Sequence, residues 1–576
     1  MKKLSLLTLA MLLGTLSCWA YDFVAGGICY NYAYNDNTAV NVVRYSDDNA
    51  ANAAYYKGAI NIPEKVTYSG KTYTVKSISG SAFYGCSGVT SVSIPSTVVD
   101  IGSSAFLGCT GITSLSIPDA VTSISSNLCL NCTGLKEVYI GKSVASFGTK
   151  SFTGCTSLAT LTYNAENCPG ITYGTARWFV DCPLTTVVIG DAVKSVPAYL
   201  AENKTTLTSL SLGKSVTTIS QYAFYGCSSL ASFTLPNTLT SIEKMAFYGC
   251  SNITSLIIPD AVEAIGVFAF NKCTSLASLT IGRALKVIDY TSFRGCTSLA
   301  SLTYNAEYCA DSSSDIKSWF EDCPLESVTV GPLVKNIPDR FMFTPKKITS
   351  VVIPNSVVSI GKYSFYQCSA LASVSMGNAV ASIADYAFYE CNALASLSLS
   401  KSLKSIGKHA FYYCNPLTTV TIPDSVTSIG EMAFCGCKGL SSLTLGSSVS
   451  SLGQYAFCGC SALSSCYVKQ EEPFRINSSV FQAASVGSAT LYVPVGSKSK
   501  YAAADEWKYF GTIKEMDFLA KGDVNGNGQV DVSDVTSLIN KILGLSTYDD
   551  SACDVNGNGQ VDVSDVTALI NLILGH

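Results

Sequence analysis

The sequence predicts an α/β repeat solenoid with short parallel strands, followed by a small all-α module. Two observations carry this: cysteines recur every 23 residues through most of the chain, and an acidic twelve-residue loop occurs twice near its end. Composition sets the frame. The chain has 576 residues, 48% of them hydrophobic and 14% charged. That is apolar enough for a packed core, which excludes wholesale disorder. A formal net charge of -4 excludes nucleic-acid binding through a basic surface. Only 2 His leave little room for a His-rich metal site or a His-based triad.

Lys2 and Lys3 precede an uncharged run from Leu4 to Leu16, and a small-residue region ends at Cys18-Trp19-Ala20. This is the order of a secretory signal over residues 1–20, with cleavage expected after Ala20. The run is too short for a comfortable membrane span. A lipoprotein acylated at Cys18 is the other reading, although Thr15 stands where a lipobox usually has Leu. No other stretch is apolar enough to span, so the mature chain is expected to have no transmembrane segment.

Cys86, Cys109, Cys132 and Cys155 are evenly spaced, as are Cys227 to Cys296 and Cys368 to Cys460. Two longer units end at Cys182 and Cys323, and the units near Lys204 and Pro345 lack the cysteine. Counting these gives about 17 units over residues 61–470. A larger copy lies on top, since GCTSLATLTYNAENC recurs as GCTSLASLTYNAEYC. In one unit, Val89, Val92 and Ile94 form a strand, Val99 and Ile101 a second apolar pair, and Phe106 and Cys109 close a turn. One such unit cannot bury its apolar face, whereas many stacked units can. The Phe of this turn recurs from Phe83 to Phe457 and is expected to be the main spine.

These residues resemble the leucine-rich repeats of the bacterial BspA-like type. The 23-residue period, the AFYGC turns and the segment SVTSIG at Ser425 to Gly430 carry the resemblance. It implies a leucine-rich-repeat solenoid on a secreted or bacterial cell-surface protein used in adhesion or protein binding. Residues 21–60 lack the repeat. Gly27 to Tyr30 and Thr38 to Tyr45 read as strands of an N-terminal cap. Residues 471–519 read as a second cap and linker, the capping sequence beginning near residue 466 and including Trp507.

A cysteine at the same point of every turn faces the interior, where it serves as a small hydrophobe with a weak donor. The column is therefore expected to hold buried thiols. Off the column, Cys435 and Cys458 both follow the Phe, and Cys168 and Cys309 lie in the longer units. For these, core packing and disulfide bridging both stand. The strands carry a row of hydroxyl residues, including Ser114, Ser278, Ser373 and Thr419. It reads as a solvated strand face or as a polar sheet for a protein or glycan partner. Tyrosines follow the Phe at Tyr225, Tyr248, Tyr366, Tyr389 and Tyr412, and precede it at Tyr222, Tyr363 and Tyr386. They either cover the edge of the core or offer rigid contact surface. Trp178 and Trp319, at the ends of the two longer loops, are expected to pack into the core.

The clearest chemistry is in residues 520–576. Residues 523–534 and 554–565 both read DVNGNGQVDVSD. Ca²⁺ takes six to eight oxygens, and this spacing wraps oxygens around one point in the manner of an EF-hand loop. Asp523, Asn525, Asn527, the carbonyl of Gln529 and Asp534 would hold one ion. Asp554, Asn556, Asn558, the carbonyl of Gln560 and Asp565 would hold a second. Asp531 and Asp562 could act through water. The segment holds 2 Lys and 8 Asp, so it carries the acidity of the mature chain. Val535, Leu538, Ile539, Ile542 and Leu543 read as the apolar face of a helix after the first loop.

Asp at the last loop position and the paired repeats resemble a type I dockerin. The resemblance implies calcium-dependent folding and docking to a cohesin domain, with Val532-Ser533 and Val563-Ser564 where the family places recognition residues. Either half is expected to hold its own site, so loss of Asp523 and Asp534 should leave the other half folded. Caps, repeats and dockerin use up the chain, so an enzyme is not expected. The leading reading is a binding or adhesion protein anchored by its dockerin. The alternative is a non-catalytic component of a polysaccharide-degrading complex.

Overall fold

The computed structural model describes residues 20–168, 177–311, 319–320, 322–518, 521–525, 530–548 and 550–574. The predicted leader, except Ala20, lies outside them. The chain forms two compact units, one running to Ser400 with His409–Cys414, the other Lys401–Lys408 with Asn415 onward.

The first unit opens with strands Phe23–Ala25, Ile28–Ala33 and Asp36–Val43, paired antiparallel in order. Phe23 stacks on Tyr68 at 4.3 Å between ring centroids and on Tyr30 at 5.4 Å, closing the end of the core. The helix Asn49–Tyr55 follows, with the Asp48 carboxylate accepting the Ala50 N–H at 2.9 Å. An antiparallel hairpin, Lys65–Tyr68 with Lys71–Ile78, falls inside the segment read from sequence as repeats. Its turn is Ser69-Gly70, both at positive φ, which Gly70 takes without steric cost.

Beyond it, most turns of chain, or rungs, give one strand to a parallel sheet. Leu115 pairs with Val138, Val138 with Leu161, Leu161 with Val187 and Val187 with Leu210. All five are buried, except that Leu210 keeps 8% of its surface. Most rungs among the described residues then make a two-residue strand, such as Ser241–Ile242 and Ala264–Ile265, which pair in register in a second parallel sheet. The third side is the wide turn carrying the Phe. Phe224, Phe247, Phe270 and Phe293 stack face to face at 5.2, 5.3 and 5.4 Å. Rings so aligned add attraction to the area they bury. Phe233 takes the position held by Leu210 and Leu256 in neighbouring rungs. It turns onto Phe247 at 4.8 Å, and no strand forms around it.

Most wide turns hold two residues in the left-handed region, for example Tyr363 (φ 56) and Gln367 (φ 54). Bonds to the next rung hold them there: Tyr363 N–H to Asp385 O at 3.2 Å and Gln367 N–H to Tyr389 O at 2.7 Å. Such bonds offset the roughly 1–2 kcal/mol that a side chain costs in this region.

In the second unit, Thr419–Thr421, Ser442–Leu445, Ser465–Val468, Thr490–Pro494 and Thr512–Met516 form one parallel sheet. The C-terminal cap therefore extends the strand ladder. Trp507 is buried, donates its indole N–H to Phe474 O at 2.9 Å, and packs against Tyr501 and Phe481. The unit also holds helices Val532–Ile542, Asp550–Cys553 and Val563–Leu574.

Candidate functional site

Asp562 ends the second twelve-residue loop's extended part, and its carboxylate accepts the Ser564 N–H at 2.7 Å. Asp565 lies in the first turn of the helix and is fully buried. Its two oxygens accept the Asn556 N–H at 3.0 Å and the Asp562 N–H at 2.9 Å, tying both ends of the loop to the helix start. Asp554 accepts the N–H groups of Gly557 at 2.8 Å, Asn558 at 3.0 Å and Gly559 at 2.9 Å, so the loop closes around this carboxylate. The side-chain oxygens of Asn556 and Asn558 accept the Asn558 and Gln560 N–H groups.

The first loop repeats the frame. Asp534 is buried and accepts the Asn525 N–H at 3.0 Å and the Asp531 N–H at 2.9 Å. With Asp531 accepting the Ser533 N–H, it makes a reciprocal helix cap. Asp523 is 3% exposed. Asn527 and Gln529 lie outside the described residues.

Hydrogen bonds from Ser533 and Ser564 hold the Asp531 and Asp562 carboxyls below the usual carboxylate range. Burial pushes Asp554 up, but the Gly559, Gly557 and Asn558 amides together outweigh it and lower it as well. All three therefore stay anionic at neutral pH. Among the described residues no three His, Cys, Asp or Glu side chains converge on one point. The donor set is mixed, with two Asn in each loop and Asp oxygens turned to backbone amides.

Two sequence expectations change here. Ile539 and Leu543 are 41% and 64% exposed, so they are not core residues. Nor are the two halves separate: Val524, Leu538, Cys553 and Leu569 form one buried cluster drawn from both. A helix of eleven or twelve residues has too little apolar area to fold on its own half, so each half completes the other's core.

Along the repeats, the cysteine column faces inward and its thiols donate to the carbonyl of the preceding rung. Cys109 reaches Phe83 O at 2.9 Å, Cys132 reaches Phe106 O at 2.9 Å and Cys250 reaches Phe224 O at 3.2 Å. Burial raises the Cys86 and Cys273 thiols to about 12. In the first of the two units lacking the cysteine, the Lys204 ammonium takes over this bond by donating to Phe179 O. Spacing alone shows only a missing cysteine there. Pro345, at the matching point of the copied block, has no such donor.

Trp178 and Trp319 are buried at 4% and 0% exposure, as expected of core residues. The tyrosines form ladders. Tyr366, Tyr389 and Tyr412 stack at 4.9 Å, and Tyr363, Tyr386 and His409 at 4.9 and 4.7 Å. Within each ladder the rings lie against one another's faces. The serine row lies outward, Ser278 beside Ser301 and Ser301 beside Ser327. Ile257 and Val352, each at the second outward position of its strand, are 70% and 68% exposed.

Among the described residues no helix is long and apolar enough to cross a membrane. The family model of the BspA type leucine rich repeat region matches residues 76–208, 194–313, 309–418 and 404–502. That of the dockerin type I domain matches residues 521–574. Both are non-catalytic domain types, typical of extracellular or surface bacterial proteins. No curated protein matches the chain. Among solved structures, the chain is similar to a leucine-rich repeat protein from Bacteroides ovatus, 26% identical, with 78% of this chain and 95% of that one covered and a TM-score of 0.34. It is also similar to a leucine rich cell surface protein from Faecalibacterium prausnitzii, 20% identical, with 88% and 96% covered and a TM-score of 0.25. A third is the pneumococcal vaccine antigen PcpA, 16% identical, with 87% and 99% covered and a TM-score of 0.28. With repeat matches over well more than half its length, the chain belongs to the BspA type leucine-rich-repeat family and carries a type I dockerin domain.

Proposed function

We propose that this is a secreted, non-catalytic binding protein whose solenoid engages a protein partner and whose dockerin, loaded with calcium, anchors it to a cohesin. The chain would comprise a leader over 1–20, caps over 21–60 and 471–519 around the solenoid 61–470, and the dockerin 520–576. The duplicated loop carries it. Both copies place a buried Asp across the two ends of the loop, and the second closes three amides around Asp554. That frame holds the loop in a tight ring, and its Asp and Asn oxygens suit a hard cation. Asp523, Asn525, Asp531 and Asp534 would hold one ion with Asn527 and the Gln529 carbonyl. Asp554, Asn556, Asn558, Asp562, Asp565 and the Gln560 carbonyl would hold the other. Calcium would neutralise the loop carboxylates and rigidify the helices that meet the cohesin.

A protein partner on the solenoid is favoured over a glycan by the tyrosine ladders. Sugars stack on open ring faces, and here those faces lie against neighbouring rings. The strand face instead mixes hydroxyls with exposed Ile257 and Val352, a composition suited to a protein contact. Two experiments test the reading. A type I cohesin panel should capture the full chain in calcium and release it in chelator; capture unaffected by chelator overturns the anchor. The chain should bind members of a matrix-protein panel; binding confined to a glycan array overturns the protein partner.

A further inference from the structure

Cys435 and Cys458 are half-buried, whereas every other cysteine among the described residues is buried. Both occupy the place just after the Phe of the wide turn, on successive rungs of the second unit. The backbone holds them side by side. Phe434 N–H bonds to Ala456 O at 2.8 Å and Gly436 N–H to Cys458 O at 2.7 Å, one bond on each side of the cysteine. Phe434 and Phe457 stack at 5.5 Å with their planes 5° apart, so the turns are in register. In-register strands stand about 4.8 Å apart, within the roughly 4.4–6.8 Å between Cα atoms that a disulfide spans. The same place on earlier rungs holds Tyr366, Tyr389 and Tyr412, whose rings stack at 4.9 Å. Side chains here thus lie against their copies on the next rung. The column thiols differ in kind, since the Cys460 thiol points inward to Phe434 O at 3.5 Å.

We propose that Cys435 and Cys458 form a redox-responsive pair that closes into a disulfide between adjacent rungs by exchange with a small-molecule disulfide. The thiolate of Cys458 attacks one sulfur of that disulfide and expels the first thiolate, leaving a mixed disulfide on Cys458. The Cys435 sulfur then attacks the Cys458 sulfur, gives up its proton and expels the second small thiol. The two protein thiols are oxidised and one small disulfide is reduced to two thiols. The balance is the same when Cys435 attacks first. Closure would staple two rungs on their solvent side, where no buried side chain has to move.

The test uses the full chain, reduced and then incubated folded with glutathione disulfide. Alkylation, digestion and mass mapping should find one bridge per chain, joining the peptides of Cys435 and Cys458. The oxidised protein should have a higher melting midpoint than the reduced one. In Cys435→Ser the same treatment should stop at a glutathione adduct on Cys458. Recovery of both cysteines alkylated overturns the proposal. So does arrest at two glutathione adducts in the wild-type chain, or a bridge between Cys437 and Cys460 in the folded protein.

Discussion

Asp534→Ala tests whether the two dockerin halves share one fold. The carboxylate accepts two backbone N–H groups, at 3.0 and 2.9 Å, and lies in the first turn of a helix. A hydrogen bond to a charged group contributes about 1.5–3 kcal/mol, and a negative charge at a helix start adds about 0.3–1 kcal/mol. Asn525 and Asp531 are only partly buried, so water recovers part of the loss. A net cost of about 2–4 kcal/mol remains. A core of Val524, Leu538, Cys553 and Leu569 is small, and such modules have about 3–5 kcal/mol in all. The substitution therefore removes most of the stability. Because Leu538 and Leu569 share that core, peptides from 554–574 should lose protection together with those from 530–545. Hydrogen exchange with mass spectrometry on the full chain in calcium reads both halves at once, with strands such as Ser278–Ile281 unchanged as an internal control. Asp534→Asn, which keeps one acceptor, should fall between. If 554–574 stays protected at the wild-type level while 530–545 opens, the shared-core argument is refuted.

Chelator should expose 521–574 to protease while leaving the repeats intact, and added Ca²⁺ should restore resistance; equal cleavage in both states counts against a calcium-dependent fold. Asp531, Asp554 and Asp562 have lowered folded values. Their stabilisation is present above the unfolded value of about 3.9 and is lost as pH falls through the lower folded values. Pepsin cleavage inside 521–574 should thus rise steeply below about pH 4, whereas a flat profile from pH 5 to 2 contradicts it. In the native chain at pH 8, a thiol reagent should reach at most Cys435 and Cys458, with the remaining thiols reacting only after denaturation; fast reaction of the column disproves its burial. Phe388→Ala removes a buried ring stacked on Phe365 at 5.1 Å and Phe411 at 5.2 Å. It should cost about 3–5 kcal/mol, read as a lower melting midpoint, and a change below 1 kcal/mol would deny the Phe column its role as spine.

The period of the sequence determined the solenoid, because a one-dimensional stack repeats the same contacts at every rung. Val89 and Val92, Phe106 and Cys109 could be assigned inward from spacing alone, and all are buried. The loop frame from Asp554 to Asp565 is local in the same way: its hydrogen bonds run among a dozen consecutive positions. Features set by contact between rungs were not legible. Spacing could not show Lys204 donating to Phe179 O in place of a thiol, nor tyrosine faces closing on one another, nor Phe233 breaking the strand row. The hairpin 65–78 interrupts the repeat because the end of a stack must cover its exposed core, and that demand leaves no period to read. The two identical loops suggested two halves able to fold independently. Only the tertiary structure put Leu538 and Leu569 in one core, because neither helix has enough apolar surface to be buried by its own half.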